Sequence, residues 1–181
     1  MKLPVGTRTL LYGVHCVPLH TFWVALAWTR LYGFPWDPRL WASFLLHDLG
    51  YWGLDNLDGP EGERHVLWGA NLMGRLFGEE WRIFTLSHSR FWAQAIGAPI
   101  SRLCVADKLS CVLEPRWSYL LRARASGELW EYMSRAGTKY TGMGVDVSSV
   151  NAWHEAVMTY LRAWVEEHKD CRPDLWTRRD Q

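Results

Sequence analysis

The residues best suited to chemistry are His20, His47, Asp48, His65, His88 and Asp107. Imidazole nitrogen and carboxylate oxygen are good ligands for borderline divalent metals. A carboxylate, having two oxygens, can also bridge two ions. His47 and Asp48 are neighbours at the end of the apolar run Leu45-Leu46, just before Leu49-Gly50. Neighbours on a helix point about 100° apart, so this pair can converge only on a point beside a last turn. Successive members of the set lie about 18 to 27 residues apart, the span of one helix plus a turn in an all-helical chain. The final member, Asp107, falls among Leu103, Val105, Ala106, Leu109 and Val112. A carboxylate buried there needs a partner. A bound cation would serve; pairing with Lys108 or Arg102, or exposure to solvent, are the alternatives.

The surroundings of these residues are as informative as their order. They read His20-Thr21-Phe22-Trp23-Val24-Ala25, then His47-Asp48-Leu49-Gly50, then Glu63-Arg64-His65-Val66-Leu67-Trp68-Gly69-Ala70. Leu86-Ser87-His88 and Val105-Ala106-Asp107-Lys108-Leu109-Ser110 complete the series. In order and context this resembles the HD-domain superfamily of metal-dependent phosphohydrolases, over about residues 14–115. The resemblance implies that His20, His47, Asp48 and Asp107 hold one ion. Asp48 would bridge to a second ion held by His65 and His88.

Nitrogen-rich ligation of this kind favours two divalent transition-metal ions (Fe, Mn, Co, Ni or Zn) over calcium. The chemistry expected is hydrolysis of a phosphoester or phosphoanhydride by a metal-bridging hydroxide. The substrate expected is a nucleotide or similar small phosphorylated molecule. Asp48, His65 and His88 would be central, with Lys108 and Arg90 as phosphate partners and Arg64 and Arg102 behind them. Glu61 and Glu63 precede His65; they suit the first turn of a helix, and could also orient a histidine. No Gly-x-Ser-x-Gly or P-loop pattern offers a different route.

Tyr51 stands where several HD hydrolases carry a substrate-touching lysine, and no Gly-Tyr-Pro segment follows the histidines. The contexts are closer to small hydrolases of dinucleoside polyphosphates and other nucleotides than to cyclic-di-nucleotide phosphodiesterases. Two other readings compete: an HD-fold di-iron oxygenase acting on a phosphonate or polyol, and a catalytically degenerate nucleotide-binding module. His15, His154 and His168 are given no role; His15 stands five residues before His20, off its helical face.

The elements that must position these residues read as helices throughout. A first helix is expected over 9–31, kinked near Pro18, and a second from Asp37-Pro38 over 39–49, stopped by Gly50. Helices over 61–77, 79–95 and 101–113 carry His65, His88 and Asp107 in turn. Two more follow, over 117–136 and, capped by Ser148 or Ser149, to His168. Residues 51–62 read as a loop over the metal side of the second helix, and 137–149 as a glycine-rich connector. The expectation is an all-α, single HD-type domain of about six to seven helices over 1–181. Its motif core is 14–115, with a helical extension at 116–168 and a frayed tail at 169–181.

Composition bounds the remainder. Hydrophobic residues make up 49% of the 181, enough for a folded core, and 20 basic residues against 19 acidic leave a net charge of +1. That balance gives no broad footprint for duplex nucleic acid. The 13 tryptophans read mainly as core packing, with one or two free to line a pocket. Self-association through tryptophan-rich surfaces is compatible with the composition. Four scattered cysteines lack any Cys-x-x-Cys and suit reduced thiols, and the N-terminus lacks a signal-peptide pattern. The most apolar run, 16–28, is too short to span a membrane and contains His20. A cytoplasmic, membrane-free protein is expected.

Overall fold

Helix starts and stops in this chain follow from local punctuation. Asp37 accepts the Arg39 N–H at 2.9 Å and opens a helix whose first residue is Pro38. Ser89, Ser101 and Ser149 cap three others through their hydroxyls. Gly33, Gly78 and Gly127 stop helices in the positive-φ region that other residues resist. The computed structural model describes residues 3–139 and 145–170. Among them the chain is all-α: α1 Val5–Tyr12, α2 Val17–Tyr32, α3 Pro38–Leu46, α4 Gly59–Gly62, α5 His65–Phe77 and α6 Glu79–Leu86. Then come α7 Arg90–Ala95, α8 Arg102–Leu113, α9 Arg116–Ser126, α10 Glu128–Lys139 and α11 Val150–His168. A single 3-10 turn, Leu49–Tyr51, joins α3 to the loop before α4.

The all-α expectation holds, but the long helices expected are divided, and the divisions fall at the candidate site. The expected helix 9–31 is broken between α1 and α2 across residues 13–16, upstream of Pro18, which sits in the first turn of α2. The chain turns by 66° there. The expected helix 79–95 is interrupted around His88, and 117–136 is divided at Gly127. Helix α3 ends at Leu46 rather than running to residue 49. Gly50 lies inside the 3-10 turn without a positive φ, so its role is not that of a helix stop. The expected connector and frayed tail fall partly on residues 140–144 and 171–181, which lie outside the described residues.

A first core layer is built where α2, α3, α5, α6 and α8 meet, around Val24, Trp28, Phe44, Met73, Phe84 and Leu103. Helix α8 packs against α2 on one side and α11 on the other. A second layer, from α9, α10 and α11, closes on Leu129, Trp153, Val157, Met158 and Leu161 and also takes in Val14. Tryptophan is less a core residue here than composition suggested. Trp28, Trp81, Trp153 and Trp164 are buried, but Trp36, Trp41, Trp52, Trp68, Trp117 and Trp130 are exposed. Tryptophan has an apolar body with one polar edge and can sit at either place, so its count does not decide its burial. Among the described residues no single helix is long and apolar enough to cross a membrane; α1 and α2 reach that length and composition only together, across their bend.

Candidate metal centre

The ends of helices, more than their middles, carry the cluster. His20 stands in the first turn of α2, His47 caps the C-terminus of α3, and Asp48 opens the 3-10 turn. His65 begins α5, His88 lies in the break between α6 and α7, and only Asp107 is mid-helix, on α8. Chain ends can aim side chains inward where a continuous helix would spread them. Two glycines let the backbones meet. A Cβ at Gly69 of α5 would collide with the Leu46 carbonyl oxygen at the end of α3. One at Gly50 would collide with the His65 carbonyl oxygen.

The six expected ligand residues come together around Asp48. Its Oδ2 lies 3.2 Å from His20 Nε2 and 3.2 Å from His47 Nε2. His20 Nε2 is in turn 3.2 Å from Asp107 Oδ1 and 3.3 Å from His47 Nε2. The other oxygen, Oδ1, lies 3.5 Å from His65 Nε2 and 3.4 Å from His88 Nε2, and those two nitrogens are 3.3 Å apart. Two groups able to hold a metal therefore share one carboxylate: His20, His47, Asp48 and Asp107, and Asp48, His65 and His88. Donors about 2.0–2.1 Å from a tetrahedral ion such as zinc stand about 3.3 Å from one another. The distances of 3.2–3.5 Å in both groups suit that spacing, while His47 Nε2 and Asp107 Oδ1 stand wider, at 3.9 Å.

Hydrogen bonding behind the imidazoles supports the fit. Nδ1 of His47, His65 and His88 each meets the carbonyl oxygen three residues earlier, Phe44 at 3.0 Å, Gly62 at 2.5 Å and Thr85 at 2.6 Å. A carbonyl can only accept, so Nδ1 carries the proton, and Nε2 of a neutral ring turns a lone pair to the cluster. That is how metal-binding histidines are held. For neutral His65 and His88 it sets two lone pairs 3.3 Å apart, which a cation would relieve. Asp48 Oδ2 is buried, and no donor among the described residues meets it with hydrogen-bond geometry.

Electrostatics differ between the two groups. Burial pulls the imidazole of His47 down, but the Asp48 and Asp107 carboxylates overcome it and push the group up to about 10. His20 is raised for the same reason, against the same burial. Burial wins at His65, which falls to about 3. Asp48 and Asp107 stay well below the usual carboxylate range; burial opposes this, while His47 and the other imidazoles outweigh it at Asp48, and Lys108 with His20 at Asp107. Without a metal, the two carboxylates thus strengthen proton binding at His20 and His47.

The other expected residues separate clearly. Lys108 lies beside the centre: its Nζ is 3.1 Å from Asp107 Oδ2, leaving Oδ1 turned to His20. Arg90 is exposed; its guanidinium donates to the Tyr160 hydroxyl at 3.2 Å and lies over Trp164, both on α11. Arg64 is exposed and Arg102 lies over the Tyr32 ring. Glu63 accepts from the Ser89 hydroxyl at 2.8 Å, next to His88, whereas Glu61 accepts from Asn56 in the preceding loop. Tyr51 stacks on His65 with ring centroids 4.0 Å apart and planes 5° from parallel. One face of its ring is spent on His65, a candidate metal-binding histidine.

One residue given no role belongs here. His15 Nε2 lies 4.0 Å from Asp48 Oδ2, and its ring is 4.9 Å from Tyr51. The break between α1 and α2 re-aims it; on a continuous helix it would point away from His20. The signals for that break were Gly13 and the helix-opening Pro18.

No protein-family model, no curated protein and no solved structure matches the chain. The helical fold and the buried His/Asp cluster are compatible with an HD-type site.

Proposed function

We propose that this protein is a metal-dependent phosphohydrolase acting on a nucleotide or a similar small phosphorylated molecule. The observation that carries this reading is the division of Asp48: Oδ2 faces His20 and His47, while Oδ1 faces His65 and His88. That is the donor arrangement for two cations sharing a carboxylate. Bound there, such ions supply Lewis acidity, which activates water near neutral pH and offsets charge on phosphoryl oxygens. The chain's own residues do the remainder. The carbonyls of Phe44, Gly62 and Thr85 fix the imidazole tautomers, and Tyr51 holds the plane of His65. Lys108 turns Asp107 towards His20 and brings a positive charge to the edge of the centre, where an anionic substrate needs one.

The test is phosphate release from deoxynucleotides, ribonucleotides, cyclic nucleotides and dinucleoside polyphosphates, each with manganese, iron or cobalt. Turnover of one class is expected, with Asp48→Ala losing both bound metal and at least about 1000-fold in rate, since it removes ligands from both groups. A metal-loaded protein that hydrolyses none of the panel, or an Asp48→Ala variant with full activity, contradicts the proposal.

A further inference from the structure

The segment between α1 and α2 is held by the second helical layer. Arg122 of α9 donates to the Gly13 and Val14 carbonyl oxygens and pairs with Glu114. Glu128, the fully buried first residue of α10, accepts the Val14 N–H at 2.9 Å and the Ser126 and Tyr132 hydroxyls at 2.5 and 3.1 Å. The next residue is His15. Its N–H donates to Thr9 Oγ1 at 3.1 Å; its Nδ1 is 2.9 Å from the same hydroxyl and 3.7 Å from Glu128 Oε2. The ring is therefore fixed from behind, and Nε2 is the atom left facing Asp48.

His15 belongs to neither group of metal-binding residues, yet it borders both His20 and Tyr51. Its side chain is 16% exposed, more open than Asp48 at 10% or His20 at 6%, which places it on the accessible rim. When the Thr9 hydroxyl donates to Nδ1, the ring proton sits on Nε2. Thr9 Oγ1 already accepts the His15 N–H, which leaves its own hydrogen free for Nδ1 and the ring proton for Nε2.

We infer that His15 is a substrate-contacting residue, donating a hydrogen bond from Nε2 to a phosphoryl oxygen bound against the centre, and that Glu128 is its positioning residue. This rests on the phosphohydrolase reading for its ligand. It makes the C-terminal extension part of the site, because α9 and α10 set the height and direction of the imidazole.

The experiment uses the full chain loaded with cobalt, with inorganic phosphate as the probe and visible absorption as the readout. His15→Ala, His15→Asn and His15→Gln should each retain the wild-type cobalt content. Phosphate binding should weaken about tenfold in the alanine and asparagine variants. The glutamine variant should bind better than either, because its amide reaches closer to the position of Nε2. Hydrolysis of the substrate found in the panel should fall about 100-fold in kcat/KM for His15→Ala. Glu128→Gln keeps one oxygen for Val14 and Ser126 but replaces the oxygen that accepts the Tyr132 hydroxyl, loosening the brace behind His15; it should weaken phosphate severalfold at unchanged cobalt content. Loss of cobalt in the His15 variants would make this residue a ligand or a mere support and overturn the inference. Wild-type phosphate affinity in His15→Ala, or no phosphate binding by the wild type, overturns it as well. If phosphate binds in a His15-dependent way while no phosphoester is hydrolysed, the contact stands and the hydrolase reading fails.

Discussion

At the scale of residues, the cluster is costly unless something positive occupies it. The buried Asp48 and the half-buried Asp107 lie among four imidazoles, and among the described residues no hydrogen-bond donor stands in line with Asp48 Oδ2. In the metal-free protein, His20 and His47 have raised affinities for protons because Asp48 and Asp107 outweigh their burial. Metal must then displace protons from that group. Metal affinity should rise between about pH 6 and pH 8, by roughly tenfold per pH unit for each proton displaced. His65, held down to about 3 by burial, is neutral across this range and releases none. Isothermal titration in buffers of different ionisation heat would count the protons; affinity independent of pH would contradict this electrostatic description. The six clustered histidines and aspartates were legible in the sequence because residue type, spacing and neighbours all agreed. His15 was not, since its aim depends on the 66° turn between α1 and α2.

At the scale of elements, the site depends on how closely α5 approaches the end of α3. Gly69 and Gly50 permit that approach, and what a Cβ would meet in each case is backbone that cannot swing aside. Gly69→Ala should push α5 outward, separating His65 from Asp48. A loss of about 1–3 kcal/mol in unfolding free energy is expected, together with reduced metal content. Denaturant titration and metal analysis of the same sample would check both; an unchanged stability and full metal content would mean the approach is not needed. Helix identity and some of the helix ends could be read from Asp37-Pro38, Gly33 and Gly78. What could not be read was where long apolar periods break. The interruption around His88 carries no proline or glycine, and it is stabilised by distant partners such as Ser101 N–H to Ser87 O at 3.0 Å and Glu63 on Ser89.

At the scale of the whole molecule, the second helical layer braces the first at two places beside the centre. Glu128 and Arg122 hold the segment before His15, while Glu131 of α10 accepts the N–H groups of Leu57 and Asp58 at 2.9 and 3.0 Å. Arg122 and Glu114 form an almost buried pair. Arg122→Ala removes the charge paired with that carboxylate, which keeps the Ser118 hydroxyl, and takes a donor from the Gly13 and Val14 carbonyls, so a loss of about 3–5 kcal/mol is expected in denaturant unfolding. A loss under about 1 kcal/mol would show that the brace is ornamental to stability. Burial of the tryptophans also belongs to this scale. Trp153 and Trp164 are enclosed by neighbouring helices, and Trp36 and Trp117 are left outside, a distinction composition does not contain.

The most direct test of the two-cation account is phosphate release measured against metal bound per chain as manganese is added to the chelated protein. Activity is expected to stay low through the first equivalent and rise with the second, because Asp48 serves both groups. Full activity at one equivalent, or two bound ions with no hydrolysis, would contradict it.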